Sequence, residues 1–384
     1  MSDYRTLDDA DVAGKRVLVR QDLNVPMQGS EVSDMTRIDR SADTIRELVR
    51  KGARVVLVTH LGRPKGERNM EFTVKPVADA MAKCLGQNVG FAEDCIGDAA
   101  EKAVNALNDG DVVMLENLRF HKEEEKNDAE FVQKLAKLGD VYVNDAFSTA
   151  HRAHASTEGL AHHMPAYAGR LMQEELDALT EALENPTRPT AAVVGGAKVS
   201  TKLDVLGNLA AKMDMIIIGG GMANTFLYAQ GKNIGTSLCE KDMADTAKEI
   251  MDKAKQSGCE ILLPDDVNVA PEFKEGAPSE TVSVDNVPDD KMIMDTGPES
   301  VKDLKKRLDT CKTVLWNGPL GAFEVKPFDQ ATNDVAQHVA ELTKAGRLKS
   351  VAGGGDTVSA LSNAGVGDQF SYVSTAGGAF LEWI

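Results

Sequence analysis

Residues 190–202, TAAVVGGAKVSTK, begin with an apolar run, continue with two glycines and end with two lysines four residues apart. Nearly continuous apolar residues before a glycine pair predict a strand of a parallel sheet that helices cover on both faces. Gly195 and Gly196 would end this strand, and Lys198 and Lys202 would lie on one side of the following helix. This local pattern is equally compatible with a phosphate-binding turn and with an ordinary charged helix.

The same apolar pattern recurs along the whole chain, alternating with helical patterns. Further runs lie at residues 16–20, 53–60, 111–117, 140–147, 214–221, 259–264, 312–319 and 349–356. This alternation predicts an α/β protein, and a length of 384 residues favours two domains. We predict two doubly wound, Rossmann-like parallel-sheet domains, at 1–169 and 186–373, with a cleft between them. A helix at 170–185 would join them, and residues 374–384 would form a hinge and a returning C-terminal segment.

The overall charge excludes several classes of function. A formal net charge of −17 disfavours nucleic-acid and anionic-membrane surfaces, because both require basic patches on the protein. No segment approaches the ~20 apolar residues that a membrane span needs. The N-terminus is acidic and lacks the pattern of a secretory signal. We therefore expect a cytoplasmic protein that has neither nucleic-acid nor membrane partners.

Two patterns predict structural rather than functional roles. The five cysteines are scattered and include no C-x-x-C pair, so we expect reduced core thiols rather than a zinc or redox site. They are Cys84, Cys95, Cys239, Cys259 and Cys311. The charge run HKEEEKNDAE at 121–130 predicts a solvated loop and the start of a helix.

Basic residues in the first half of the chain stand next to predicted strand ends. They are Arg37, His60, Arg63, Arg119, His151 and Arg152. Converging arginines would bind a small, multiply charged anion, because guanidinium groups donate in pairs to carboxylate and phosphate oxygens. Each arginine alone is typical of an ordinary surface. Asp22 and Asn24 follow the first strand and would suit a substrate hydroxyl, although a capped turn before Pro26 explains them equally well.

The second half carries glycine-rich turns at 195–196, 219–221, 353–355 and 377–378. Glycine lets the backbone approach a phosphate closely, although a single such turn more often packs a helix on a sheet. The stretch at 190–202 lacks the P-loop pattern, and 219–224 lacks the third glycine of G-x-G-x-x-G. Neither a Walker-type NTPase nor a dinucleotide oxidoreductase is therefore supported. In GGGDT at 353–357, Asp356 is a hard oxygen ligand suited to Mg²⁺, and with Thr357 it indicates a nucleotide.

Ten motifs in order give the chain a close resemblance to the phosphoglycerate kinases over essentially its whole length. They are RQDLNVP, TRI, THLGRP, LENLRF, DAFSTAHRAH, VGGAKVSTKL, GGGMANTF, WNGPLGAFE, AGGGDT and VSTAGGA. The resemblance implies reversible phosphoryl transfer between 1,3-bisphosphoglycerate with ADP and 3-phosphoglycerate with ATP, with Mg²⁺ on the nucleotide, by a monomer. Two rival functions stay open: a phosphotransferase for another carboxylate, and a catalytically silent protein that binds nucleotide or a partner.

The resemblance also implies roles for individual residues. The phosphoglycerate site would comprise Asp22, Asn24, Arg37, His60, Leu61, Gly62, Arg63, Arg119 and Arg152. The nucleotide site would comprise Lys202, Asn317, Glu324, Gly354, Gly355, Asp356 and Thr357, with Glu324 at the ribose and Asp356 holding Mg²⁺. The transferring phosphoryl group would be stabilised by Arg37, Lys198, Lys202 and Gly377. The acceptor carboxylate is already deprotonated at neutral pH, so no general base is expected, and domain closure would align the substrates.

Four features depart from the family pattern. Ala376 stands where the family commonly has glycine, and its Cβ is expected to restrict a positive φ near the phosphoryl group. Ser148 replaces a frequent glycine, and Ile293 stands where some members have a glycine near the adenine, so no adenine contact is predicted there. The chain ends at Ile384, where the family usually continues with a segment that packs on the first domain. A shortened chain or weaker domain coupling is therefore expected.

Overall fold

The structure is a computed structural model that describes residues 4–384. The chain divides into two compact units, Met1–Asp177 and Ala178–Ile384. Each unit contains a six-stranded parallel sheet, so the predicted α/β class with two parallel-sheet halves is confirmed. The boundary between the units falls within a helix, Arg170–Leu183, in the segment that the sequence predicts as the connector. No helix in the described part of the chain has the length and apolar character needed to cross a membrane.

The first unit is built around a sheet with the strand order β5-β6-β4-β1-β7-β8. Its strands are β1 (Arg16–Gln21), β2 (Met27–Gln28), β3 (Glu31–Val32), β4 (Arg54–Val58), β5 (Val89–Ala92), β6 (Val112–Leu115), β7 (Val141–Asp145) and β8 (Ala166–Ala168), of which β2 and β3 form a separate hairpin. Along β1, Val17 and Val19 pack into the core on one face of the sheet and Leu18 into the core on the other. Because both faces are covered, the strand sequence is continuously apolar.

Helices cover this sheet. They are α1 (Thr36–Arg50), α2 (Lys75–Leu85), α3 (Gly97–Asn105), α4 (Lys122–Glu125), α5 (Ala129–Ala136) and α6 (Leu160–His163), with 3-10 turns at Met70–Phe72, Leu118–Phe120 and Phe147–Thr149 and a π turn at Ala155–Gly159. The next helix, α7 (Arg170–Leu183), begins in this unit and ends in the second. The start of α7 is fixed by Asp145, whose carboxylate accepts hydrogen bonds from the amides of Leu171 (3.0 Å) and Met172 (3.2 Å). These amides have no partner within the helix, so the carboxylate caps it. At Gly169 an added Cβ would lie 2.1 Å from that carboxylate.

The second unit has a parallel sheet with the strand order β11-β10-β9-β15-β16-β17 and an antiparallel sheet with the order β13-β12-β14. Its strands are β9 (Thr190–Gly195), β10 (Met215–Gly219), β11 (Glu260–Leu262), β12 (Asp266–Ala270), β13 (Glu280–Ser283), β14 (Met292–Thr296), β15 (Thr313–Asn317), β16 (Lys349–Gly353) and β17 (Tyr372–Ser374). The winding direction of the parallel sheet reverses between β9 and β15. In doubly wound folds, ligands bind beyond the carboxyl ends of the strands at this point.

Each helix of the second unit except α10 follows a strand along the chain. They are α8 (Leu203–Lys212), α9 (Gly220–Ala229), α10 (Ala244–Gln256), α11 (Pro298–Leu308), α12 (Gln330–Lys344), α13 (Gly355–Asn363) and α14 (Gly378–Trp383), with 3-10 turns at Val199–Thr201 and Lys241–Met243. The prediction that Lys198 and Lys202 share one side of a helix is wrong. Lys198 precedes the 3-10 turn and Lys202 immediately precedes α8, because the chain makes this tighter turn before the helix begins.

The structure also corrects two structural predictions. All five cysteines are free, and Cys95, Cys259 and Cys311 are buried, but Cys84 and Cys239 are only partly buried and are not core thiols. The charge run at 121–130 is not uniformly solvated. Glu124 within it is 1% exposed, because its carboxylate accepts hydrogen bonds from the amide and hydroxyl of Ser156.

Candidate active site

The predicted anion site lies at the carboxyl ends of the strands of the first sheet. Asp22 and Asn24 follow β1, and the His60–Arg63 segment, residues 60–63, follows β4. Asn24 Oδ1 accepts a hydrogen bond from the Gly62 amide at 2.9 Å, and the Arg119 guanidinium donates to the Gly62 carbonyl at 3.1 Å. The structure therefore brings together residues of three strand-end loops.

Asp22 is held at the centre of this group by two donors. The guanidinium of Arg37 and the hydroxyl of Ser148 both donate to Asp22 Oδ2. Burial raises the pKa of Asp22, but the Arg37 charge and the hydrogen bond from Ser148 outweigh burial and hold the pKa below its ordinary value. Asp22 is therefore an acceptor at neutral pH. Ser148, which replaces a frequent glycine of the family, is a direct contact of this carboxylate.

His60 is buried against Arg20, a residue that was not among the predicted site residues. One Arg20 nitrogen lies 3.1 Å from His60 Nδ1, and Arg20 Nε donates to Ser156 Oγ at 2.9 Å. Burial and the Arg20 charge hold the pKa of His60 well below its ordinary value, although Asp22 opposes them. Because arginine only donates, Nδ1 accepts and the proton is on Nε2. His60 is therefore a neutral hydrogen-bond donor, and the charged position of Arg20 within the apolar run RVLVR was the available sequence signal.

The remaining arginines differ in exposure. Arg119 is 8% exposed, and its Nε lies 3.6 Å from a Glu125 oxygen. Burial lowers the pKa of Arg119, Glu125 opposes this, and the charges of Arg20 and Arg152 lower it further. Arg152 is exposed and its Nε lies 3.3 Å from His151 Nε2, and Arg63 is exposed on the loop after β4. Mutual repulsion among the cations makes the cluster suited to an anion.

Lys202 is the central residue of the second unit. Its ammonium group donates to the Gly195 carbonyl at 2.6 Å and to Asn317 Oδ1. Gly195 ends β9 and Asn317 ends β15, so the ammonium lies where the strand order reverses. Burial lowers the pKa of Lys202 to about 8, although the Asp356 charge opposes the fall. The structure thus holds a poorly hydrated cation at the expected ligand position.

Other predicted nucleotide residues are joined to Lys202 through hydrogen bonds. Asn317 Nδ2 donates to the Gly353 carbonyl at 2.7 Å, and the Gly318 amide donates to Thr357 Oγ1 at 2.7 Å. Gly354 has a φ of 101°, and an added Cβ there would lie 2.6 Å from Asn317 Nδ2. Glycine is therefore required at this position, for both backbone conformation and space.

Gly355 and Asp356 begin α13 and are both exposed. Asp356 also belongs to the lining of an adjacent cavity. An exposed carboxylate at this place fits Mg²⁺, which usually keeps several waters and binds through one or two carboxylates and the substrate phosphates.

The cavity itself has a volume of about 320 Å³ and is mainly apolar. Glu324 and Asp356 are the predicted site residues that line it. Most of its wall was not predicted from the sequence, including Leu238, Phe273, Met292, Ile293, Leu320 and Phe323. Ile293 belongs to β14 of the antiparallel sheet, which the sequence patterns did not reveal. Leu238 and Phe273 are 56% and 62% exposed, so the cavity has an open apolar rim.

Lys198 and Gly377 lie in loops of the second unit. Lys198 is exposed, and Gly377 has a φ of 58° directly before α14. The expected conflict at Ala376 is not found. Among the described residues other than glycine, positive φ occurs at Lys65 and Asn127, so Ala376 stays outside the left-handed region and Gly377 adopts it instead.

Comparisons with known proteins identify relatives of this chain. A family profile described as phosphoglycerate kinase matches residues 7–384. The phosphoglycerate kinase of Methylobacterium radiotolerans is 63% identical over 385 residues, which cover 100% of this chain and 96% of that protein. That of Rhizobium meliloti is 60% identical over 382 residues, with 99% and 96% covered.

Solved structures give the same result. The phosphoglycerate kinase from Coxiella burnetii is 42% identical, with a TM-score of 0.92, and the match covers 99% of this chain and 95% of that one. The enzyme from Pyrococcus horikoshii is 31% identical, with a TM-score of 0.79 and coverage of 98% and 95%. The predicted resemblance and enzyme class are confirmed: the chain belongs to the phosphoglycerate kinase family.

Proposed function

We propose that this chain transfers a phosphoryl group reversibly between 1,3-bisphosphoglycerate with ADP and 3-phosphoglycerate with ATP, as a step of glycolysis and gluconeogenesis. The observation that carries this proposal is Lys202, a partly desolvated ammonium group at the strand-order reversal, beside an apolar cavity. Family membership supports the same reaction. We also infer that the chain acts as a monomer in the cytoplasm, which sedimentation and cell fractionation would test.

The phosphoglycerate would bind to the first unit. Arg63, Arg119 and Arg152 supply cations for its phosphate and carboxylate, and neutral His60 donates through Nε2. Asp22 and Asn24 offer oxygen acceptors for the hydroxyl group. Leu61 and Gly62 position the loop, since Asn117 Nδ2 donates to the Leu61 carbonyl at 2.8 Å and the Gly62 backbone bonds to both Asn24 and Arg119.

The nucleotide would bind to the second unit. Its base fits the apolar cavity, and the Glu324 carboxylate in the cavity wall accepts hydrogen bonds from the ribose hydroxyls. The backbone at Gly354 and Gly355 approaches the phosphates at the start of α13, where amides are free and the helix dipole favours anions. Asp356 would hold Mg²⁺, which neutralises phosphate charge when bound.

Transfer would proceed without a general base. The acceptor oxygen belongs to a carboxylate, which is ionised at neutral pH. Catalysis therefore consists of alignment and of charge stabilisation by Arg37, Lys198 and Lys202, with the Gly377 turn contributing backbone donors. The two ligand sets belong to different units, and the reacting atoms must come within about 3–3.5 Å. We therefore propose that the units close during turnover.

A coupled assay tests this function. The purified chain with 3-phosphoglycerate, ATP and Mg²⁺ should form 1,3-bisphosphoglycerate, which a dehydrogenase consumes with a change in NADH absorbance. Lys202→Met should remove most of this turnover while preserving the circular dichroism spectrum. Turnover only with a different carboxylate would favour the rival phosphotransferase, and ADP binding without any turnover would favour a silent nucleotide-binding protein.

A further inference from the structure

Outside these sites, Asp94, Cys95 and His121 place a carboxylate oxygen, a thiol sulfur and an imidazole nitrogen within 4.8 Å of one another. Asp94 and Cys95 follow β5, and His121 follows the turn after β6, the strand that pairs with β5. The carboxyl ends of two neighbouring parallel strands therefore bring the three side chains together. We propose that this cluster binds a divalent transition-metal cation of the zinc class, separate from the Mg²⁺ of the nucleotide.

The ligand types select the class of cation. Sulfur and imidazole nitrogen suit Zn²⁺ and Co²⁺, whereas Mg²⁺ takes oxygen ligands almost exclusively. The cysteine spacing alone predicted no zinc site, because the ligands come from two segments that are distant in sequence. Three protein ligands with one position left for water is a common arrangement for zinc.

The geometry requires only small adjustments. His121 Nε2 lies 2.7 Å from Asp94 Oδ1, which also accepts from the Cys95 amide at 2.7 Å. Asp94 Oδ2 is 4.0 Å from the nearest Arg68 nitrogen. Tetrahedral zinc with bonds of about 2.0–2.3 Å separates its ligand atoms by about 3.3–3.8 Å. Side-chain shifts of about 1 Å would therefore place all three ligand atoms around one ion.

The electrostatic surroundings also favour a cation. The carboxyl groups of Asp94, Glu124 and Glu116 give the surroundings of the Cys95 thiol a negative potential. The same negative potential attracts a divalent ion, whose charge would displace the thiol proton to solvent and leave a thiolate ligand. Access is available because the side chains of Asp94 and His121 are 33% and 26% exposed.

The orientation of the His121 ring is fixed by its contacts. The His121 ring packs against Phe131 at a centroid distance of 5.3 Å, so the imidazole is held while Nε2 faces Asp94. His121 also lies two residues after Arg119. A cation bound here would therefore restrain the turn that carries one of the proposed phosphoglycerate ligands.

Cobalt titration of the full-length, chelator-treated protein tests this site. One equivalent of Co²⁺ should produce the near-ultraviolet charge-transfer band of a cobalt thiolate, and Zn²⁺ should abolish the band by displacement. Cys95→Ser should remove the band and weaken Co²⁺ binding at least ~10-fold, since second-sphere changes alone often cost that much. Cys84→Ser is the matched control, because Cys84 is also a thiol next to a carboxylate, at 3.3 Å from Asp39, and it should keep the band.

Two further variants guard against misfolding. His121→Gln and Asp94→Asn should each weaken Co²⁺ binding while kinase turnover shows that the chain is folded. Zn²⁺ should raise the melting temperature of the wild type and not that of Cys95→Ser. The proposal is overturned if folded wild type shows no thiolate band, if the band survives in Cys95→Ser, or if Cys84→Ser removes it. In those cases Asp94 and His121 form a hydrogen-bonded pair without a metal.

Discussion

Burial of the Lys202 ammonium group destabilises the folded chain, and the same group has a proposed catalytic role. Replacement of Lys202 by methionine allows the two effects to be measured separately. Methionine has a similar length and no charge, so Lys202→Met removes the buried ammonium with little change in volume. The predicted effect on turnover is a fall in kcat of about 10²–10³, because one preorganised charge near the transferring group is lost. The predicted effect on stability depends on pH.

The magnitude follows from the environment of the ammonium group. Burial lowers the pKa of Lys202 from 10.5 to about 8. At neutral pH this shift corresponds to a free-energy cost of ~3 kcal/mol for keeping the ammonium group charged in the folded chain. Between these two values the unfolded chain binds more protons than the folded chain, so the free energy of unfolding rises with pH. Methionine cannot titrate. The free energy of unfolding of the wild type minus that of Lys202→Met should therefore increase by about 2–3 kcal/mol from pH 7 to pH 10.

Urea unfolding of both proteins at both pH values measures this difference, and all other titrations cancel in the comparison. Trp316 provides a local signal, because it is fully buried in β15 next to Asn317, which accepts a hydrogen bond from Lys202. A stability difference that stays constant from pH 7 to pH 10 would refute the argument that burial depresses this pKa. Retention of kcat by the variant would refute the catalytic role.

Three other predictions address single residues. Arg37→Ala should lower kcat by at least ~10²-fold, since this cation is proposed to contact the transferring group, and steady-state kinetics in which only KM changes would contradict that role. Gly354→Ala should destabilise the chain by about 1–3 kcal/mol and raise the KM for ADP, because a Cβ conflicts with the φ of 101° and with Asn317. An unchanged melting temperature in thermal unfolding would contradict the predicted destabilisation. Ile293→Trp should weaken ADP binding in calorimetry by filling the apolar cavity, while 3-phosphoglycerate binding stays unchanged; equal ADP affinity would place the base elsewhere.

The strands and the order of the motifs could be predicted because they depend on local sequence. The run at 190–196 predicts a buried strand. In the structure β9 is Thr190–Gly195, and every residue of this strand is buried. The four residues of β5 include Gly90 and follow no clear pattern, and they were missed. The antiparallel strands β12 to β14 were also missed, and with them the part of the cavity wall that Val267 and residues 292–296 form.

Contacts between distant residues could not be predicted. The sequence singles out Arg20 by its charge within an apolar run, but it does not show that Arg20, Ser156 and Glu124 form one buried network, because each stands in a different segment. The tight turn before α8, which separates Lys198 from Lys202, depends on backbone geometry that the i, i+4 spacing does not reveal. The prediction that Lys198 and Lys202 share one side of a helix was wrong because it assumed that the helix begins directly after Gly196.

The central claim is that each substrate has its own set of residues, one in each unit. Calorimetric titration of 3-phosphoglycerate and of MgADP, each into Arg63→Ala and into Asp356→Asn, tests it most directly. Both side chains are exposed, so both variants should fold normally. Arg63→Ala should bind 3-phosphoglycerate about 10-fold or more weakly and MgADP normally, and Asp356→Asn should show the reverse. The claim would be contradicted if both folded variants lost affinity for the same ligand, or if neither variant lost affinity for either ligand.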